Sequence, residues 1–406
     1  MRKTLFIYSI IFALKFAIAQ TPVQYYFKRA CEKDSLEDYK GAIDDFSKAI
    51  AFDTSNATYY AKRGLSKHNL EDYNGAILDF SKALKLNPNN DQYYCDRADA
   101  KFELDDYNGS ITDYDIAISI NNNNAEYYSN RGLAKYELQN HNEALVDFEK
   151  AIALDPKDGD YYNHRGLVKH ELKKFQEAVN DYTKAISLDS EDDYYYFNRG
   201  LSKYELDDYK GSIEDFTKAI QLNSEDDEYY FNRGVSENES DDNTAAITDY
   251  NKAILLNPNE GNYYYNRGNA KFDISDNIGA LYDYSKAIEL DSTDADYYCN
   301  RAITKHELKN YQGALKDYKK AIQLNTNDGD FYYNRGLTYQ ELKEFERAMN
   351  DYSKAIELNK NDPDFYLKRG LLKKELKDDT AACLDFKEAI KLGSEEAKQA
   401  SKKTCK

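Results

Sequence analysis

Apolar and polar positions along this chain follow two helical rhythms, and the pair of rhythms recurs every 34 residues. Tyr195–Leu206, read YYFNRGLSKYEL, carries the first rhythm. Its Arg199 has counterparts at Arg29, Arg63, Arg97, Arg131, Arg165, Arg233, Arg267, Arg301, Arg335 and Arg369, with no insertion or deletion among the eleven copies. With that Arg as the seventh position, the repeats run from Val23 to Glu396. A fixed period of this length marks a stacked repeat array and overrides any estimate of domain number from length.

Within each repeat, position four is always Tyr, position eight is Gly or Ala, and position fourteen is Leu in nine copies. Spacings of four and seven place these near one face of a first helix. Position 20 is Ala or Ser, position 24 is always aromatic and position 27 is always Ala, which gives an amphipathic second helix. A short polar turn such as Asp207-Asp208 separates the two. The small eighth residue lets the second helix approach closely. Asn or Asp ends the second helix in ten repeats and Gly393 follows it in the last, and a left-handed closing residue is expected there.

Two columns carry opposite charges. Position seven is Arg and position 23 is Asp in all eleven repeats, so a buried ion pair is expected in each, with Arg199–Asp215 and Arg165–Asp181 as examples. The seventh repeat breaks the pattern: Glu237–Asn243 replaces the usual Lys, aromatic and Leu, and poor packing is expected at that joint.

The ends change the picture further. Arg2 and Lys3 precede a mostly apolar run from Leu5 to Ala19, and Ala17-Ile18-Ala19 has the small-x-small form of a processing site. Residues 1–19 are expected to be a cleaved secretory signal, which points to a periplasmic or secreted protein. Disulfides are permitted in such a compartment. Of the five Cys, Cys383 and Cys405 are placed to staple the C-terminal tail, residues 397–406, as a cap on the last repeat. Cys31, Cys95 and Cys299 lie too far apart in a stack to pair with one another. The net charge of −18 makes nucleic acid and anionic membrane poor partners.

Catalytic chemistry finds no footing. The five His are scattered, and there is no HExxH, CxxC, phosphate-binding glycine loop or Gly-x-Ser-x-Gly. Neither a cofactor nor a metal is expected, and the chain reads as a non-enzyme.

A 34-residue helix–turn–helix with aromatic four, small eight, Ala 20, aromatic 24 and Ala 27 resembles the tetratricopeptide repeat over residues 23–396. The resemblance implies an all-α fold, a right-handed superhelical solenoid of antiparallel helix pairs. Two columns depart from the family pattern. Position seven is Arg rather than Leu, and Pro at position 32 survives only as Pro88, Pro156 and Pro258. The resemblance also implies that positions 2, 5, 6, 9, 12 and 13 of the first helices line a concave groove. Position six is then a row of Asn130, Asn198, Asn232, Asn266, Asn300 and Asn334. A carboxamide both donates and accepts, so such a row suits a peptide backbone. Phe197, Phe231, Tyr265 and Tyr333 at position five are expected on the groove floor, with Glu at position thirteen along its edge. The expected partner is an extended polypeptide with apolar and basic side chains. The family's clamp for C-terminal carboxylates is not reproduced, since position two is never basic and position five never Lys. The expected function is a non-catalytic interaction scaffold. The alternative is a spacer or self-associating envelope component that leaves the groove unused. Oligomeric state is left open.

Overall fold

A computed structural model describes residues 21–405. The signal expected over residues 1–19 lies outside them. Every regular element among the described residues is an α-helix, and each repeat contributes two. In the fifth repeat these are Gly159–Glu171 and Phe175–Leu188. A connection this short returns the second helix antiparallel to the first. The helix pairs follow one another in tandem, and Glu395–Thr404 adds a final helix. The chain divides into two compact units, one ending at Ser202 and the other beginning at Lys203. Both build their cores from the same columns.

The position-24 ring and the position-27 Ala are buried in both compact units, as with Tyr182 and Ala185 in the first and Tyr250 and Ala253 in the second. The ring fixes the small residue at position eight: a Cβ on Gly166 would stand 2.6 Å from Cε1 of Tyr182. At position three, the hydroxyls of Tyr127, Tyr195, Tyr263 and Tyr297 reach the preceding repeat. Tyr127 donates to Asp91 at 3.0 Å, and Tyr263 donates to Asp227 at 2.6 Å.

The turns correct one expectation. The Asn or Asp ending each second helix is extended rather than left-handed, as at Asn257 (φ −130°) and Asp155 (φ −134°). In nine of the ten its side chain instead accepts the backbone N–H two residues on, at 3.0 Å for Lys157 onto Asp155 and 2.8 Å for Thr293 onto Asp291. This Asx turn delivers the chain to the next N-cap within three residues, which is a different use of the same side chain. The left-handed residue lies between the two helices of a repeat, at position fifteen. It has φ between 57° (Lys173) and 66° (Ser275), and in none of the eleven repeats is it Gly. Only Gly393, after the last second helix, follows the expected closure, at φ 103°. Next to it, Cys383 and Cys405 form a disulfide that ties the final helix to the eleventh repeat.

Candidate functional site

The first helices carry two different polar systems. One faces the second helix of the same repeat. In repeats one to five and seven to eleven, the Arg at position seven holds the Asp at position 23 through two parallel N–H···O bonds. Nε meets Oδ2 and Nη2 meets Oδ1, all between 2.5 and 2.9 Å. In the sixth, Arg199 donates to Thr183 at 3.1 Å and Asp215 receives Lys203 at 2.8 Å. The Arg in every repeat also lies over the position-four Tyr of its own helix, 5.4–6.0 Å from the ring centroid. The hydrogen bonds that Arg165 donates to Asp181 hold its guanidinium pKa above the ordinary value, and those donated by Arg29 hold Asp45 well below the usual carboxylate range. This is structural chemistry. The charge is paired within the fold, although Arg301 and Asp317 also line an open pocket of about 400 Å³ with Lys316, Lys319 and Lys320.

Two members of this system escaped the sequence reading. Lys at position eleven completes the Asp in nine repeats, with Nζ 2.6–2.9 Å from a carboxylate oxygen. In eight repeats the Arg Nη1 also crosses to position 25 of the preceding repeat, as Arg63 to Ser47 at 3.0 Å and Arg267 to Asn251 at 2.6 Å. The guanidinium thus joins neighbouring repeats as well as the two helices of one. A hydroxyl or carboxamide residue at position 25 in seven of the repeats was the available signal.

The second system lies on the other face of the first helices. All six Asn of the position-six row are half-buried. Asn232, Asn266 and Asn334 each give one amide N–H to the carbonyl four residues back, at 2.8, 2.9 and 2.9 Å. Their carboxamide oxygens accept nothing among the described residues. Asn130, Asn198 and Asn300 instead reach the preceding repeat, at Asp99 (3.4 Å), Asn163 (3.0 Å) and Asn269 (3.0 Å). The position-five rings are less open than a groove floor requires. Phe231 packs between Tyr250 and Tyr263, with centroids 5.9 and 4.7 Å away. Tyr265 sits between Tyr284 and Tyr297, and Tyr333 between Tyr352 and Phe365. These rings seal neighbouring repeats and offer the groove only an edge. Phe197 holds the same position in the sixth repeat and is also half-buried.

Pockets open beside the Asn row. One of about 310 Å³ is lined by His68, Asp99, Phe102, Glu103, Tyr114 and Asn130, with Leu133. Another of about 240 Å³ is lined by Asn269, Phe272, Asp273, Tyr284, Asn300 and Ile303. Burial pushes Asp96, on the helix that carries Asp99, up to about 6. No group of three or more His, Cys, Asp or Glu placed to hold a metal occurs among the described residues. No described helix is long and apolar enough to cross a membrane.

Models of the tetratricopeptide repeat match residues 57–90, 125–158, 197–261 and 329–362, and models of the TPR repeat match 98–139, 168–207, 268–309 and 304–343. Together these cover well over half of the chain. The chain belongs to the tetratricopeptide repeat family. Members are generally protein–protein interaction scaffolds. No curated protein matches this tetratricopeptide chain. Among solved structures, it resembles the Cut9–Hcn1 hetero-tetramer of APC/C, with 13% identity over 96% of this chain and 97% of that one, TM-score 0.49. It also resembles a tetratricopeptide repeat protein from Parabacteroides merdae (20% identity, 61% and 98% covered, TM-score 0.47). A third is YrrB, described as a TPR protein with an unusual peptide-binding site (21% identity, 44% and 92% covered, TM-score 0.38).

Three of the His residues of this tetratricopeptide array serve packing between repeats. His170 shares a hydrogen with Ser202 at 2.8 Å and His306 with Thr338 at 2.9 Å, from position twelve of one repeat to position ten of the next. His164 meets Ser129 at 3.2 Å, and burial lowers its pKa.

Proposed function

We propose that this chain is an exported, non-catalytic scaffold that binds an extended polypeptide along the groove which its family places on the first helices. The observation that carries this reading is the row formed by Asn232, Asn266 and Asn334. Each spends one N–H on its own helix and keeps a half-buried carboxamide oxygen and a second N–H unengaged. Amides at one register, repeated at the period of the array, match the periodic donors and acceptors of an extended backbone. The carboxylates around them favour a ligand with basic side chains, and the position-five ring edges favour apolar ones. The leader over residues 1–19 supports action outside the cytoplasm.

The test is capture from the non-cytoplasmic fraction of the source cells, using the full chain and an Asn232/Asn266/Asn334→Ala variant. Their amides bond only their own helix, so the variant should melt with the wild type. A polypeptide held by the wild type and lost by the variant supports the groove. An identical set on both baits overturns it. The competing reading, a self-associating spacer, predicts sedimentation that rises with concentration. Apolar exposure on the second helices does not favour it, since Leu78 and Val146 are separated by Thr112 at the same register.

A further inference from the structure

The pockets beside the Asn row recur at one register, and the residue at position nine sets their size and charge. With Ile303 there, the pocket beside Tyr318 and Asn334 holds about 70 Å³. With Asn269 it holds about 240 Å³, and with Asp99 about 310 Å³. The Asn269 pocket is satisfied internally: Asn269 Oδ1 accepts the Tyr284 hydroxyl at 2.8 Å and the Asn300 amide at 3.0 Å. Asp99 stands in the same frame. Its Oδ1 accepts the Tyr114 hydroxyl and the Asn130 amide.

The difference is charge. Asp99 Oδ2 receives only the Cys95 thiol, at 3.7 Å, and no Lys or Arg pairs with Asp99 among the described residues. The eleven Asp at position 23 each have a cation against them. Burial raises the Asp99 carboxyl from its ordinary value, partly offset by the Tyr114 hydroxyl and by His68. A second group in the pocket is also unmet. His68 Nε2 is buried without a hydrogen-bond partner. The ring also lacks the hydroxyl that orients its counterparts: His170 and His306 meet one through Nδ1 at position ten of the next repeat, but that residue after His68 is Ala100. The pocket thus holds a carboxylate and an imidazole nitrogen, both short of a donor, between the rings of Phe102 and Tyr114.

We infer that the pocket over Asp99 is a subsite for the cationic head of a Lys or Arg residue within an extended polypeptide, seated between Asp99 and His68 with its methylenes against Phe102 and Tyr114. An ammonium or guanidinium has only donors to offer, which is what both unmet groups require. Glu103 at the rim adds attraction and turns anions away. The volume is at the low end for small-ligand sites and suits one side chain rather than a whole metabolite. Asn130, on the pocket wall, belongs to the Asn row, so the backbone carrying that side chain runs along the row. This assignment rests on the groove reading above.

The test pans a positional-scanning library of acetylated nonapeptides, one position fixed at a time, against the full chain and Asp99→Asn. That variant copies the Asn269 arrangement and so keeps the hydrogen bonds to Tyr114 and Asn130. The wild type is expected to enrich Lys or Arg at one peptide position. Asp99→Asn should lose that enrichment by about tenfold while keeping selection elsewhere. His68→Phe, which keeps the ring but removes Nε2, should weaken the same enrichment and guards against a folding defect in the first variant. Peptides captured without a basic preference, or with one that survives Asp99→Asn, overturn the subsite and leave the groove standing. Capture of no peptide at all overturns both.

Discussion

Arg165 and Asp181 meet as two parallel prongs, Nε to Oδ2 at 2.8 Å and Nη2 to Oδ1 at 2.6 Å, and Lys169 reaches the same Oδ2 at 2.8 Å. Two cations therefore share one buried anion, and the partners are not equivalent. Asp181→Ala leaves two half-buried cations unpaired and is expected to cost roughly 3–5 kcal/mol. Arg165→Ala leaves Asp181 with Lys169 and is expected to cost less, about 1–3 kcal/mol. Arg165→Lys should recover little, because an ammonium cannot form the fork. Because a repeat array opens locally, amide exchange across residues 159–192 is the appropriate readout beside the melting curve. Equal damage from the two Ala variants would show that Lys169 gives Asp181 no protection.

The helices and the Arg–Asp columns were legible because a column of one chemistry, repeated eleven times, cannot be read as chance. Lys169 and its counterparts were not, since Lys at a helix surface is ordinary and its partner lies twelve residues away on another helix. The left-handed residue at position fifteen gave no sign either: Glu71, Lys173 and Ser275 share no backbone preference. Their conformation is imposed by the two helices that the turn must join. Asp99 was hidden for the opposite reason. It is one of two polar exceptions, with Asn269, in a largely apolar column, and a column-based reading discounts exceptions. The position-five rings were assigned to the groove by the family resemblance, column by column. That ignores how far a ring leans toward the next repeat, where Tyr263 and Phe365 receive it.

Glu237 occupies the position-eleven site of the seventh repeat, where a Lys would complete Asp249. Its Oε2 is buried without a partner, and Arg233 Nε is 4.0 Å from Oε1. Burial and the charges of Asp249 and Asp242, partly offset by Arg233, push its carboxyl from 4.5 up to about 7. The folded chain then holds a proton that the unfolded chain has released between those two values. Stability contributed by this group is full below about pH 4.5 and is lost as pH rises through about 7. The loss expected is on the order of 1 kcal/mol, since the site is partly solvated. Glu237→Gln should remove this pH dependence. Glu237→Lys should go further and stabilise the seventh repeat at pH 8 by about 1–2 kcal/mol, as Lys203 serves Asp215 at 2.8 Å. Denaturant titrations at pH 5 and pH 8 decide it, and parallel shifts for all three proteins would refute the assignment.

Lys309 holds φ at 60° in the turn of the ninth repeat. A left-handed conformation costs an L-residue roughly 1–2 kcal/mol, part of which glycine's greater freedom in the unfolded chain cancels. Lys309→Gly is therefore expected to stabilise by about 0.5–1 kcal/mol, and the same change at Lys173 and Lys343 should add, because the turns lie in separate repeats. Calorimetric melting of the triple variant checks this. A lower melting temperature would mean that the Lys side chains make contacts worth more than the strain.

The disulfide between Cys383 and Cys405 closes the last repeat against the final helix, Glu395–Thr404. That helix has ten residues and buries only Ala397, against the Phe386 and Ala389 core of the eleventh repeat. An isolated helix of that length is marginal in water, so its order depends on the staple and on this small patch. Closing a loop of this size contributes on the order of 3 kcal/mol if the crosslink is unstrained. Reduction, or Cys405→Ser, is therefore expected to release residues 395–404 first and to expose the core around Phe386. Hydrogen exchange should show amides of the final helix losing protection by about a hundredfold, which corresponds to about 2.7 kcal/mol. The repeats near the other end of the chain should remain unchanged, because each repeat depends chiefly on its neighbours. Unchanged protection after reduction would mean that the cap is held by packing alone.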